Sequence, residues 1–82
     1  MNQYEAIAKE QGLDCKYVSS NYDELEDDML EFNDKLHIQI GILTKCFSVV
    51  EDCGDSVFQF SHFAEFGTAL NEVKIILGLE NR

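Results

Sequence analysis

The segment LHIQIGILTKCFSVVEDCGDSVFQF, residues 36–60, decides the fold because apolar and polar side chains alternate along most of it. Successive side chains of a β-strand point to opposite faces, so this alternation predicts strands with one buried face. Four aliphatic residues share the even positions at its start: Leu36, Ile38, Ile40 and Ile42. The segment therefore predicts an antiparallel sheet rather than helices.

Two turns divide this segment into three strands. The apolar residues move to odd positions at Phe47 and Val49, and a continuous strand cannot change faces without a bulge. We therefore predict a turn at Thr44–Lys45. The sequence DCGD, residues 52–55, predicts a second turn.

The second turn also predicts a register. Pairing across residues 52–55 places Val49 opposite Phe58 and Phe47 opposite Phe60. Because directly paired residues share a face of the sheet, Phe58 and Phe60 are expected on the same apolar face as Val49.

Helical spacing flanks the strands on both sides. Near the N-terminus, Asn2 predicts a helix cap with Glu5 as its capping-box partner. Gly12 predicts the end of this helix, with Leu13 folding back against it. A C-terminal helix is predicted to end at Gly78. Its apolar stripe consists of Phe66, Ala69, Leu70, Val73 and Leu77.

A further helix is predicted over YDELEDDMLEFND, residues 22–34, with Asn21 as its cap. At 100° per residue, four apolar side chains fall within one arc. They are Tyr22, Leu25, Met29 and Phe32. The acidic side chains occupy the opposite side. Residues 14–19, between the two N-terminal helices, fit either a short strand or a connector.

Together these elements predict an α+β fold with two N-terminal helices, a three-stranded antiparallel β-meander and a C-terminal helix packed on one face of the sheet. With 82 residues, 45% of them hydrophobic, the chain is expected to form a single domain, residues 1–82. It contains no apolar run of the roughly 18 residues that a membrane span needs. Its start, MNQYEAIAKEQ, lacks the basic and apolar parts of a signal peptide, so we expect a cytoplasmic protein.

The charge of the chain is strongly negative and uneven. Sixteen acidic against six basic residues give a net charge of −10. Residues 1–35 contain ten acids and three bases (−7), whereas residues 36–82 contain six acids and three bases (−3). Such a chain repels nucleic acid and anionic membranes and attracts basic surfaces. We therefore expect a basic protein partner, with no direct binding to nucleic acid or membranes.

Side chains that bind metals or act as nucleophiles are few and widely spaced. Cys15, Cys46 and Cys53 make an odd count without a CxxC pair, which favours a reducing compartment. Neither His37 nor His62 stands at zinc-ligand spacing from a cysteine, and no GxSxG nucleophile motif occurs. We expect no metal, no cofactor, no catalytic residue and no enzymatic activity.

The concentrated carboxylates of residues 22–34 are the main functional candidates. On a helix, their seven charges would extend over about 18 Å, roughly one per 2.6 Å against about 1.7 Å for duplex DNA. The predicted partner-binding residues of this ridge are Asp23, Glu24, Glu26, Asp27, Asp28, Glu31 and Asp34. A second predicted acidic patch at the hairpin turn consists of Glu51, Asp52 and Asp55.

At the level of class, the chain resembles the small acidic inhibitors that phages and other mobile elements use against host defence, including DNA mimics, anti-restriction proteins and anti-CRISPR proteins. The resemblance rests on size, acidity, the absence of catalytic motifs and the acids of residues 22–34. It implies a stoichiometric inhibitor in the host cytoplasm. Its carboxylates would replace phosphates in the basic groove of a Cas subunit or a restriction enzyme.

The sequence is also compatible with three other functions. An acidic face can serve solubility alone. An adaptor or subunit-interface protein would instead bind through an apolar surface, to which Leu43 or Phe63 would contribute, with salt-insensitive association and a homodimer. Finally, Gly-Asp-Ser-Val at residues 54–57 resembles the attachment site of acyl carrier proteins, which implies phosphopantetheine on Ser56.

Overall fold

The computed structural model describes residues 3–19, 28–41 and 45–80. In these residues the elements are helix α1 (Gln3–Glu10), strands β1 (Lys16–Val18), β2 (Asp28–Asn33), β3 (Leu36–Ile40), β4 (Phe47–Gly54) and β5 (Val57–Phe63), and helix α2 (Phe66–Ile76). The strands form one antiparallel sheet in the order β1-β2-β3-β4-β5, so each strand pairs with its neighbours in the chain. Neither described helix is long and apolar enough to cross a membrane.

The predicted fold is right in class and wrong in its elements. The chain is α+β, but among the described residues one helix rather than two precedes the sheet, and the sheet has five strands rather than three. The two additional strands are β1, where the sequence left a strand or a connector open, and β2, where it predicted a helix. Residues 20–27, which include the first half of that predicted helix, lie outside the described residues.

The core lies between the two helices and one face of the sheet, which we call the inner face. Leu30, Ile38 and Val49 stand side by side on β2, β3 and β4, and each is at most 2% exposed. The helices cover this row with small and branched side chains that are also buried: Ala8, Ala69, Leu70 and Val73. Both described helices lie on the inner face, so among the described residues no helix covers the outer face.

Three aromatic rings join the helices to each other and to the sheet. Tyr4 of α1 contacts Phe66 at the start of α2 with ring centroids 4.7 Å apart, and Phe47 of β4 lies 5.7 Å from Tyr4 and 5.4 Å from Phe66. All three pairs are tilted or edge-to-face, the arrangement that the charge distribution of aromatic rings favours. Tyr4 therefore fixes the position of α1, a helix of only eight residues.

Both predicted C-terminal helix ends are confirmed, whereas the predicted cap Asn2 lies outside the described residues. At the end of α1, Gly12 has φ +84°, its N–H donates to the Lys9 carbonyl, and the N–H of buried Leu13 donates to the Ala8 carbonyl. Gly78 has φ +80° after α2 and repeats the same bonding pattern. This is the glycine-terminated end in which a left-handed residue lets the chain satisfy the last carbonyls. Leu77, predicted on the buried stripe, is 39% exposed, and Ile76 packs against the core instead.

Strand β2 replaces a predicted helix because tertiary contacts override the helical spacing. In β2, Leu30 pairs with Tyr17 on one side and Ile38 on the other, and its side chain is fully buried. A helix over the same residues would point Leu30 away from the predicted apolar stripe and would place like charges one turn apart. Asn33 then begins the connection to β3, and its Oδ1 accepts a hydrogen bond from the Lys35 N–H at 2.8 Å.

The predicted register of the β4–β5 hairpin is wrong by an odd number of residues. Val49 pairs with Ser61 rather than Phe58, and Phe47 pairs with Phe63 rather than Phe60. The chain turns later than predicted, at Asp55 and Ser56, which have φ of 53° and 62°, and the register shifts between Asp52 and Gly54. Two successive residues with positive φ are typical of the two-residue hairpin turn that matches strand twist.

This shift moves Phe58 and Phe60 to the outer face, since a displacement by an odd number of residues turns every side chain over. Phe58 is 51% exposed and Phe60 is 55% exposed. The predicted change of parity between the preceding strands is confirmed, because Ile38 pairs with Val49 and Ile40 with Phe47. The predicted turn falls partly on residues 42–44, which lie outside the described residues.

We predict that Leu30→Ala lowers the free energy of unfolding by about 2–5 kcal/mol, because it removes a fully buried side chain from the middle of the sheet. Met29→Ala, at a partly buried position on the outer face, should cost about 1 kcal/mol or less. Urea unfolding monitored by circular dichroism measures both values. Equal costs, or a larger cost for Met29→Ala, would favour the helix over β2.

Candidate functional site

One end of the sheet collects carboxylates from three separate parts of the chain. The β2–β3 connection, the β4–β5 turn and the C-terminal end of α2 all lie at this end because the strands are antiparallel. We call this region the acidic end. It consists of Asp14, Glu31, Asp34, Glu51, Asp52 and Asp55.

Two open depressions share the β2–β3 connection as a common wall. The first, of about 420 Å³, is lined on its acidic side by Asp14, Glu31 and Asp34. The second, of about 440 Å³, is lined by Asp34, Glu51 and Asp52, with Ile76 and Leu77 of α2 at its apolar side. Asp34 therefore faces both depressions and occupies the centre of the acidic end.

The negative charge of this surface is only partly compensated. The two depressions are lined by five carboxylates and two lysines, Lys16 and Lys35, so that their net charge is −3 (2 − 5). In the part of the chain that the structure describes, neither lysine forms an ion pair with these carboxylates; the ion pairs found are Lys9–Glu5 and Lys74–Glu80. The acidic end thus presents excess carboxylate to solvent.

The fold brings together some of the predicted site residues and separates others. Glu31 and Asp34 from the first predicted set join Glu51 and Asp52 from the second at one end of the sheet. Asp28 lies at the opposite end of β2, paired with Ile40, and its Oδ2 accepts a hydrogen bond from the Tyr17 hydroxyl. The remaining predicted residues fall outside the described part: Asp23, Glu24, Glu26 and Asp27.

Where the chain is described, no helical ridge of carboxylates exists, because Asp28 and Glu31 belong to a strand. They have opposite parity, so Asp28 lies on the inner face with Leu30 while Glu31 lies on the outer face. The predicted spacing along a helix axis is therefore wrong for Asp28, Glu31 and Asp34. What replaces it is a group of carboxylates from separate segments, in which, over the described strands, no carboxylate is paired directly across the sheet with another.

Two of the acidic residues, Asp52 and Asp55, also shape the backbone that displays them. The Asp52 N–H donates to the Lys35 carbonyl at 2.8 Å, which ties β4 to the β2–β3 connection. Asp52 Oδ1 in turn accepts a hydrogen bond from the Gly54 N–H at 2.8 Å. Asp55 takes a positive-φ position in the following turn and is exposed. Asp52 therefore has a structural role as well as a charge.

His37 adjoins the acidic end on the outer face and pairs across the sheet with Glu31. Burial lowers the pKa of His37 below its ordinary 6.5, and the neighbouring Glu31 carboxylate opposes this shift without reversing it. The imidazole is therefore neutral at pH 7 and leaves the negative charge of Glu31 uncompensated.

The cysteine and histidine side chains do not assemble into a reactive site in the described residues. Burial is the main cause that raises the pKa of Cys15, with Glu5 adding to it, so its thiolate is disfavoured. Ser48 Oγ lies 2.7 Å from Nδ1 of His62, but Ser48 is only 8% exposed, so the hydrogen bond satisfies a buried hydroxyl. Residues 3–19, 28–41 and 45–80 contain no group of three His, Cys, Asp or Glu side chains that could hold a metal ion.

The exposed aromatic side chains of β5 are the functional candidates that the sequence pattern missed. Val57, Phe58 and Phe60 are each more than half exposed, at one edge of the sheet. Phe63, predicted to be outward, is half-buried against the core, and Leu43 lies outside the described residues. The turn at Asp55–Ser56 alone would shift the pairing by an even number of residues and keep Phe58 and Phe60 on the inner face. The irregular pairing between Asp52 and Gly54 makes the shift odd, and the alternation of residues does not signal it.

We predict that the ring protons of His37 titrate with a pKa below 6.5 in an NMR titration of the folded protein. Because the unfolded chain takes up this proton at a higher pH than the folded chain, His37 reduces stability as the pH falls from 6.5 toward its folded pKa. His37→Gln should reduce that loss, and Glu31→Gln should lower the pKa of His37 further. A titration midpoint above 6.5 would contradict the burial argument.

Comparison with known proteins adds no relative from which a function could be transferred: no protein-family model, no curated protein and no solved structure matches the chain. The functional conclusion therefore rests on the geometry of the acidic end and of β5.

Proposed function

We propose that the protein acts by binding rather than by catalysis, and that its acidic end occupies the basic nucleic-acid-binding site of another protein. The observation that supports this proposal is the convergence of Asp34, Glu51 and Asp52 on one depression. Two stretches of sequence supply these carboxylates, and the strand register brings them together although like charges repel.

The proposed mechanism is substitution of carboxylates for phosphates. Arginine side chains that bind phosphate also bind carboxylate, through two parallel N–H···O hydrogen bonds, and lysine binds either group as a point charge. Asp34 and Glu51 stand on adjoining segments whose backbones are hydrogen-bonded through Asp52 and Lys35. Their carboxylates are consequently held by a sheet and need little ordering when they bind, which favours affinity.

The class of partner follows from the resemblance of the chain, in size, charge and acid content, to the small acidic inhibitors of host defence. A small acidic protein that occupies a phosphate-binding groove excludes DNA or RNA from it, as the acidic inhibitors of host defence do. We therefore propose a CRISPR effector complex or a restriction enzyme as the partner, with the protein acting as a stoichiometric inhibitor. The proposal also includes four predicted acidic residues on the basis of their charge alone: Asp23, Glu24, Glu26 and Asp27.

A second candidate function is binding through the apolar surface of β5, which the exposure of Phe58 and Phe60 favours. The two candidates differ in their response to salt. Binding through carboxylates weakens as ionic strength rises, because counterions screen it, whereas apolar burial does not. An acyl-carrier role has less support, because Ser56 lies in a hairpin turn and does not open a helix.

We predict that Asp34→Lys and Glu51→Lys each weaken inhibition about tenfold or more, because each breaks a charge-assisted contact and adds a repelled charge. The assay measures how much protein displaces labelled target DNA from purified CRISPR effector complexes and restriction endonucleases. Glu65→Lys is the matched control: it makes the same charge change at an exposed position before α2, away from the acidic end.

The same assay at low and high salt separates the two candidates. The proposal expects displacement of DNA by the native protein, loss of displacement at high salt, and retention of activity by Glu65→Lys. If Asp34→Lys and Glu51→Lys displace DNA at the same concentrations as the native protein, the acidic end is not the binding surface. If the native protein displaces DNA from none of these enzymes, the host-defence assignment is refuted.

A further inference from the structure

Strand β5 forms an edge of the sheet and lacks the devices that normally protect edges. Its seven residues, VFQFSHF, include no Asp, Glu, Lys, Arg or Pro, in a chain that is 27% charged. Natural edge strands are kept from pairing with other chains by charges, prolines, bulges or short length. The opposite edge, β1, has three residues and begins with Lys16. Only β5 offers a long, uncharged, unprotected edge among the described strands.

The edge is apolar on the outer face. Phe58 and Phe60 are 51% and 55% exposed, and Val57 is 53% exposed on the other face. Burial of aromatic surface on this scale is favourable. Exposed aromatic residues beside the unpaired edge of a strand are typical of an interface. The partner must therefore be an extended strand that also carries apolar side chains.

We propose that β5 pairs with β5 of a second copy of this chain, antiparallel and centred on Phe60, so that the two sheets join into one. Phe60 is the middle residue of Val57–Phe63 and would face its own counterpart across the two-fold axis. An interface of this kind uses the same patch on both subunits and closes after two copies.

The proposed register pairs similar side chains at every position. On the outer face, Phe60 meets Phe60 of the partner subunit, and Phe58 meets an imidazole from the partner. On the inner face the pairs are Gln59 with serine and Val57 with phenylalanine. Aromatic, polar and apolar cross-strand pairs of this kind each stabilise a sheet. The strand is therefore complementary to itself.

The distribution of charge permits self-association despite the net charge of −10. Antiparallel pairing about Phe60 carries the two hairpin turns in opposite directions. Asp55 of one copy then lies ten residue positions along the strand axis from its counterpart, or roughly 30 Å. Glu51 and Asp52 pair with Gln59 and Phe58 one strand in from the edge, so each lies roughly 15–20 Å from its counterpart. The Debye length at physiological ionic strength is about 8 Å, so salt screens much of the repulsion between the two acidic ends. A basic partner strand, by contrast, would find no acidic side chain on β5 to bind.

The area available points to a dimer of modest affinity. With about 200 Å² for a phenylalanine, the half-exposed Phe58 and Phe60 contribute roughly 200 Å² of apolar surface per copy. Stable interfaces bury about 800 Å² per partner, so this apolar area alone gives a weak interface, to which the backbone hydrogen bonds between the two strands add. We therefore expect dissociation in the micromolar range, and the dimer to be visible only when concentration is varied.

Sedimentation equilibrium from about 1 µM to about 1 mM tests the inference. The native protein should pass from monomer to dimer over this range. Phe60→Lys should remain monomeric, because two ammonium groups would face each other at the axis. This variant has a net charge nearer zero, so its failure to associate would not be an effect of overall repulsion. Leu79→Lys makes the same change at a residue that is 60% exposed and outside β5, and it should dimerise normally.

Hydrogen exchange gives a second measurement that does not depend on a variant. Amides of residues 57–63 should exchange more slowly as the native protein is concentrated, while those of β1 should not change. A native protein that stays monomeric at about 1 mM overturns the inference and leaves β5 to a different partner. A dimer that persists in Phe60→Lys also overturns the inference. A native dimer whose β5 amides gain no protection from exchange does so as well. No carboxylate of the acidic end belongs to β5, so failure of the dimer leaves the proposed inhibition untouched.

Discussion

The side-by-side burial of Leu30, Ile38 and Val49 is the constraint on which the rest of the structure depends. These three side chains occupy the centre of β2, β3 and β4 and form the floor on which both helices pack. Leu30 cannot reach this position from a helix with the predicted apolar stripe, so its burial selects the extended conformation for residues 28–33. Once β2 pairs with β3, Glu31 and Asp34 are carried to the end of the sheet where Glu51 and Asp52 lie.

The sequence predicted most of the fold wherever local chemistry determines structure. The ends of both helices follow from Gly12 and Gly78, which take left-handed conformations that glycine adopts at low cost. The alternation of Leu36, Ile38 and Ile40 predicted β3 correctly, since each is buried. In these cases the residue types permit one conformation much better than the others.

Prediction failed where two patterns compete within the same residues. Asp28–Asn33 contains both helical spacing and the alternation of Leu30 with Phe32, and only contacts with β1 and β3 decide between them. The hairpin register failed for a different reason. DCGD resembles a turn, yet the chain turns two residues later at Asp55 and Ser56, and the register shift between Asp52 and Gly54 makes the total displacement odd and exposes Phe58. Of the candidate site, the sequence identified the acidic residues but not which of them would meet.

The acidic end and β5 divide the surface between two kinds of interaction. Carboxylates concentrate where strands turn, and the edge strand between the turn and α2 has none. If β5 joins two copies, the dimer presents an acidic end on each side of a ten-stranded sheet, counting the described strands. A partner with two basic sites at matching separation would then be bound with higher avidity than a single copy provides.

Proton NMR can establish whether residues 28–33 form the strand that carries Asp34 to the same depression as Glu51. We expect cross-strand nuclear Overhauser contacts between Glu31 and His37 and between Leu36 and Glu51, the pairs that the strand register sets. Contacts between residues three apart along 28–34, with no contact from Glu31 to His37, would show a helix and contradict the account.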